Sequence, residues 1–319
     1  MADLAERLAL LKSSGIGWFA ANKKALLRWV NDRLWHRWPL LLYPMASRFR
    51  QAHGYWPNLL RPRSLNEKVL YRILFDRRAH LPMLSGKLES RAFIERRTGS
   101  TDFLVPLVGV IRQPEEIRSM ALPKQFVMKP NRGSQTLYFH RGETAPDLDH
   151  LQELCRDWLG THFAKSSREW VYNGVESAVV IEALLADELG RIPIDYKFFC
   201  FDGEPRWLRV CQDRHGPTAT YTMLRTDWTV IEEDQPCEGT GLLPPPPRPP
   251  HFEQMLELAR VLSRGTDMLR VDLYDTGGKV YCGELTNTPD AGRLRYFPAA
   301  LDVELGEFWK LDTRTPLRD

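Results

Sequence analysis

Two carboxylates stand where a β-hairpin would ordinarily carry apolar side chains. The stretch 267-DMLRVDLYDTGGKVYCGELTNTP-289 reads as two short strands joined by a glycine turn, with Asp272 in one and Glu284 in the other. With Gly277, Gly278 and Lys279 as a three-residue loop, Thr276 lies opposite Val280 and Asp272 opposite Glu284. The strand period of two then puts Arg270, Asp272 and Tyr274 on one face with Cys282, Glu284 and Thr286. Leu269, Val271, Leu273, Tyr281 and Leu285 make the other, core-facing side. Like charges roughly 5 Å apart across a sheet repel, so the pair needs a neutraliser. A hard divalent cation with oxygen ligands is one, because magnesium is usually held by one or two carboxylates plus substrate phosphates. Arg270 on a solvated outer face is the other.

A second stretch, 126-FVMKPNRGS-134, reads as a strand ending near Lys129 and a loop carrying Gly133 and Ser134. Glycine lets a backbone approach a ligand closely, and successive N–H groups can cradle an anion. The lysine precedes the glycine and the loop runs into a strand, so this is not a Walker A loop. A solvated strand lysine fits the same letters. Basic residues also crowd one strand end (Arg206, Arg209, Arg214) and follow the hairpin (Arg293, Arg295), which suits a carboxylate substrate or a solvated face.

The elements that must hold these groups are legible in outline. Residues 1–60 read as a helical arm in which Trp18, Trp29, Trp35 and Trp38 alternate with basic residues. Such an arm either packs on the body or lies on an anionic membrane surface. Ser64 and Glu67 form a capping-box pattern, and Ser85 precedes a second helix that Gly99 stops. Strands are expected at 103–111, 125–129, around 138, at 178–185 and at 194–212, the last broken by a turn at Asp202-Gly203. Helices are expected at 148–164 and 251–264, the latter after the polyproline run 244–250. This pattern is an α+β protein with antiparallel or mixed sheets.

Composition narrows the function classes. The 319 residues are 43% hydrophobic and 27% charged, as in a globular protein, and allow two domains. A net charge of +3 argues against nucleic acid as a partner. No apolar run approaches the roughly 20 residues of a membrane span. Five scattered cysteines without a CxxC pair read as reduced thiols and point to a cytoplasmic protein, with the inner membrane face left open by the arm. No Ser-His-Asp or Cys-His arrangement stands out.

Taken in order, SLNEKV (64–69), LSGKLESR (84–91), LPKQFVMKPNRGS (122–134), REWVYNGV (168–175), VVIEALL (179–185), DYKFFCFDGEPR (195–206), MLELARVLSRG (255–265) and the hairpin resemble the TupA-like ATP-grasp family, named for teichuronopeptide synthesis. The resemblance implies an ATP-grasp fold, two α+β lobes with ATP between them, here as a smaller lobe over 61–190 and a larger lobe over 191–319 behind the arm. It implies that Lys87 and Lys129 contact ATP phosphates and that Gly133 and Ser134 sit in the loop closing over them. Glu182 with Ala183, Leu184 and Leu185 would meet adenine, and Asp195, with Lys197 nearby, would bind ribose. Asp272 and Glu284 would hold Mg2+, with Thr286 or Asn287 completing the site, since threonine stands where many such ligases have asparagine. Arg270 would face the transferring phosphoryl group. The implied activity is an ADP-forming carboxylate–amine ligase with an acylphosphate intermediate, in surface polysaccharide or peptide-like metabolite assembly. Its partners would be a small carboxylate, an amine and a polysaccharide acceptor. A kinase with a hydroxyl acceptor and a non-catalytic glycan-associated protein are the alternatives.

Overall fold

The computed structural model describes residues 39–134, 136–161, 169–187, 190–214, 219–231, 245–296 and 299–311. The chain divides into a unit ending at Trp56 and a second, larger unit from Pro57 onward. In the first, helix α1 (Pro39–His53) is described, and the tryptophans at 18, 29, 35 and 38 lie outside the described residues. Trp56 there packs with Tyr43 and lies under the Arg50 guanidinium.

The second unit opens with α2 (Leu65–Phe75), closed by the expected capping box: Ser64 accepts from the Glu67 amide and Glu67 reaches back to the cap. A short helix α3 (His80–Ser85) follows, which the sequence pattern did not reveal because Pro82 falls inside it. Ser85 therefore ends one helix rather than capping the next. Gly86 holds the N-cap position of α4 (Lys87–Thr98), which ends at the left-handed Gly99.

Two antiparallel sheets follow. The first contains β1 (Leu107–Ile111), β2 (Phe126–Pro130), β3 (Tyr138–His140) and β4 (Val179–Ala183), in spatial order β1-β4-β2-β3. Pro106 delays β1 relative to the expected start at Phe103. Helix α5 (Leu148–Gly160) covers this sheet, its Leu151 and Cys155 buried against Phe126, Met128 and Ile181. The second sheet has β5 (Asp195–Phe201), β6 (Glu204–Gln212), β7 (Thr220–Arg225), β8 (Met268–Thr276) and β9 (Lys279–Thr286), in order β7-β6-β5-β8-β9. Helix α6 (Phe252–Ser263) buries Phe252, Met255, Ala259 and Leu262 on one face of it, against Phe198, Leu208, Val210 and Val271. With that face closed by apolar packing, the opposite face is free to carry charge. The four described cysteines are buried and free. No helix among the described residues is long and apolar enough to cross a membrane.

Helix α7 (Ala299–Glu307) returns to α2, where Asp302 accepts from the Asn66 amide and Lys68 donates to the Gly306 and Trp309 carbonyls. Arg72 of α2 is the tie between these parts. It is fully buried, donates to the Met268 and Asn287 carbonyls, pairs with Asp76 and Asp267, and lies over the Trp309 ring at 4.2 Å. Burial would raise the Asp267 carboxyl, but the Arg72 and Arg78 guanidinia outweigh it and hold the group down at about 2. A folded-state pKa below the unfolded value of 3.8 means stability present above pH 4 and lost as pH falls towards 2. Urea unfolding at pH 5 and pH 2.5 is expected to show a loss of about 1.5 kcal/mol attributable to this group. Asp267→Asn should flatten that decline, and an unchanged acid slope in the variant would remove Asp267 as its source.

Candidate active site

The charged face of the five-stranded sheet meets the first sheet across a cleft of about 380 Å³. Strand register explains its composition. Arg209 of β6 pairs with Lys197 of β5, Lys197 with Asp272 of β8, and Asp272 with Glu284 of β9. Directly opposed residues in antiparallel strands share a face, so these four side chains form one row, strand by strand, across the cleft floor.

The Asp272–Glu284 pairing arises differently from the sequence expectation. The turn is the two-residue Gly277-Gly278, both with positive φ, so Thr276 faces Lys279 rather than Val280. A bulge between Asp272 and Leu273, where Gly283 is the extra residue, restores the register and brings Asp272 opposite Glu284. Because the bulge inverts alternation beyond it, Cys282 faces the core with Leu273, and Tyr281 pairs with Tyr274 instead. Both residues are thus on the opposite sides to those expected. Glycine is required at 283 because a Cβ there would overlap the Tyr274 ring.

The row is neutralised internally. Asp272, 1% exposed, accepts from Arg270 through both oxygens (2.7 and 2.9 Å) and from Lys197 at 2.6 Å. Burial opposes its ionisation, yet Arg270 and Lys197 hold the carboxyl far below the usual range. Lys197 is shared with Asp195 at 2.5 Å, and Arg214 also donates to Asp195. Arg270 reaches Thr286 Oγ1 at 3.2 Å and Glu284 at 3.8 Å. Thr286 therefore stands beside the two carboxylates. Asn287 is turned to structural work: its Nδ2 donates to the Leu81 carbonyl and Ser85, and it does not line the cleft.

On the opposite wall, Asn131 fastens the glycine loop to the start of α4. Its Oδ1 accepts from the Leu88 amide, its Nδ2 donates to Glu89, and its carbonyl accepts from the Lys87 amide. This brings Lys87, 46 positions away in sequence, to Gly133, whose carbonyl accepts from Lys87 Nζ at 2.9 Å. Gly133 sits at φ 97°, open to glycine but strained for other residues. Burial pushes the Lys87 ammonium down to about 8, partly offset by Glu284. Lys129 Nζ pairs with Glu182 at 2.5 Å, and Glu182 also accepts from Arg91. Glu182 thus anchors Lys129 in addition to opening the 182–185 segment. Ala183, Leu184 and Leu185 line the cleft beside Val127, Phe139 and Ile192, an apolar slot bordered by backbone. Thr276 Oγ1 donates to the Ala186 carbonyl and ties this segment to the hairpin.

The cleft therefore gathers Lys87, Lys129, Ser134, Glu182–Leu185, Lys197, Arg270, Asp272 and Glu284. Asp195 is not brought with them: it is 1% exposed, committed to Lys197 and Arg214, and absent from the lining. Of the basic crowd, Arg209 and Arg214 line the cleft, whereas Arg206 lies over Phe308 elsewhere. Sequence reasoning missed Tyr221, on a strand it did not assign, and Asp290, in a left-handed turn after β9. Its only signal was an acid set between Pro289 and Gly292.

Among the described residues no cluster of three or more His, Cys, Asp or Glu side chains forms a metal cage. Asp272, Glu284 and the Thr286 hydroxyl instead make a hard-oxygen partial set, which fits a magnesium ion completed by substrate phosphates.

Gly283→Ala is expected to cost about 1–3 kcal/mol through overpacking against Tyr274, read as a lower urea midpoint. In a Tyr274→Ala background the same change should cost much less. Equal stability of Gly283→Ala and the parent would show that the bulge has room to spare.

No curated protein sequence matches the chain. Similar folds occur in the ATP-grasp ligase PsnB complexed with a phosphomimetic variant of minimal precursor, Mg and ADP (15% identity, 72% of this chain, 60% of that one, TM-score 0.39). They occur also in D-alanine-D-alanine ligase from Helicobacter pylori (11%, 73% and 60%, TM-score 0.39) and from Bacillus anthracis with ATP (16%, 71% and 63%, TM-score 0.38). The chain spans less than two thirds of the length of each of these solved proteins. At such scores and identities the likenesses say nothing of chemistry. The family match is of another kind, because residues 67–310 fit the TupA-like ATP-grasp description throughout both sheets and the cleft between them. The chain belongs to the TupA-like ATP-grasp family.

Proposed function

We propose that the protein is an ATP-dependent, ADP-forming ligase that joins a carboxylate to an amine. The observation that carries this reading is the convergence of two lysines, Lys87 and Lys129, with the opposed carboxylates Asp272 and Glu284 in one cleft. The lysines and the Gly133-Ser134 loop hold the triphosphate. The apolar slot at Ala183–Leu185 receives the adenine, with backbone groups reading its edge. Asp272, Glu284 and Thr286 would hold magnesium, which would supply neutralisation of phosphate charge. Arg270, packed against Asp272 and Glu284, stabilises the phosphoryl group as it passes to the substrate carboxylate. The resulting acylphosphate is attacked by the amine, phosphate leaves, and an amide remains. Positioning and charge neutralisation do the work, and no nucleophilic side chain is needed.

Membership of the family supports a role in bacterial surface polysaccharide or peptide-like metabolite assembly. A polysaccharide acceptor, a cytoplasmic location and contact of the N-terminal arm with the inner membrane face are parts of the same proposal.

Glu284→Gln is expected to abolish turnover while leaving the melting curve close to that of the parent. Asp272→Asn should abolish turnover and also lower the melting temperature, because it removes the charge that Arg270 and Lys197 share. Full activity in either sinks the metal assignment. Lys129→Ala should weaken ATP binding at least tenfold, about 1.4 kcal/mol, by calorimetry. Nucleotide product analysis with amino acids, uronic acids and amines tests the reaction itself. ADP, free phosphate and an acid-dependent hydroxamate are expected. ADP with a phosphorylated acceptor and no hydroxamate would make the protein a kinase.

A further inference from the structure

Among the described residues, most cations of the cleft have a close partner, but Arg209 does not. Arg270 makes short contacts to Asp272 and a bond to Thr286, and Lys197 bridges two carboxylates. Lys87, Lys129 and Arg214 each have a partner within 2.9 Å. Arg209 is 8% exposed, and among the described residues its Nε is buried without a partner and its one ion pair is long, NH2 to Asp290 Oδ2 at 3.4 Å. The guanidinium lies over the Tyr221 ring at 5.4 Å. A guanidinium is always charged and presents a planar fork that matches a carboxylate bidentately. A buried charge left this poorly partnered is costly unless a ligand completes it.

Asp290 has the mark of a placeholder. One of its oxygens sits loosely between Arg209 and Arg270, at 3.4 and 3.5 Å. It is held there by a turn in which Asp290, Ala291 and Gly292 all have positive φ. Gly292 cannot be replaced cheaply, since a Cβ would come within 2.8 Å of the Asn66 carbonyl oxygen. Arg209 stands two strands from Asp272 along the row, about 10 Å away at the usual strand spacing. That separates it from the position where phosphoryl transfer would take place.

Building on the ligase reading, we propose that Arg209 is a substrate-binding residue that pairs with a second carboxylate, one that is carried by the amine substrate and is not activated. Asp290 occupies its place in the free protein and is displaced by it. The source is an amino acid or a uronic acid bearing an amine.

The test is calorimetric titration of the full chain, loaded with magnesium and a non-hydrolysable ATP analogue. The probes are glutamate, alanine and galactosaminuronate, each against its amide or methyl ester. At least one acid is expected to bind ten times more tightly than its neutral counterpart, and which pair discriminates identifies the source. Arg209→Met should abolish the discrimination and Arg209→Lys should retain part of it. Asp290→Asn, which keeps the left-handed turn accessible, should tighten acid binding several-fold by removing the internal competitor. A merely structural Arg209 would not produce these opposite signs. No acid preferred over its neutral form, discrimination surviving in Arg209→Met, or weaker binding in Asp290→Asn overturns the proposal. Hydroxamate formation in parallel samples, with ATP in place of the analogue and hydroxylamine added, reports on the ligase separately. Arg209-dependent discrimination without hydroxamate would keep this subsite and remove the reaction.

Discussion

Asp272 is held by Arg270 and Lys197 at once, and the site is organised around that double pairing. A carboxylate buried in a sheet survives only if its charge is cancelled and its lone pairs are met. Here the cancellation spreads sideways, through Lys197 to Asp195 and Arg214, and through Arg270 to Glu284 and Asp290. The cleft floor is therefore a balanced lattice of charge. On the proposed reading, a nucleotide would bring excess negative charge to this lattice, and a cation at Asp272 would have to compete with the two groups that already serve it.

The opposite wall is built by a different device. Asn131 carries no charge and does not line the cleft, yet it spends its amide on Leu88, Glu89 and Glu176. It thereby fixes the glycine loop to the helix start that bears Lys87. Hydrogen bonds of a neutral amide set the position of Lys87, whereas ion pairs set the positions of Lys129 and Asp272.

Much of this was legible in the chain. The alternation in 268–286 marked the hairpin, and Asp272 opposite Glu284 followed from any register that kept their sum. The capping box of Ser64 and Glu67 and the stop at Gly99 are local signals, readable because their partners lie within a few residues. What escaped depended on distance. The two-residue turn and the bulge at Gly283 cancel in register, so only the faces of Cys282 and Tyr281 betray them. The family resemblance assigned Asp195 to ribose, and nothing in the neighbouring letters announced its ion pairs with Lys197 and Arg214. Asp290 was hidden because its role depends on a backbone conformation rather than on a pattern of letters.

Arg72 closes the larger unit over a long span of chain. Its buried guanidinium meets the Met268 and Asn287 carbonyls, Asp267 and the Trp309 ring, all nearly 200 or more residues downstream. During synthesis the helix that carries it leaves the ribosome long before any of those partners. Until they emerge, the charge must stay in water, and α2 has no complete surface on which to settle. Packing of this helix thus waits on segments made some 195 to 237 positions later in the chain.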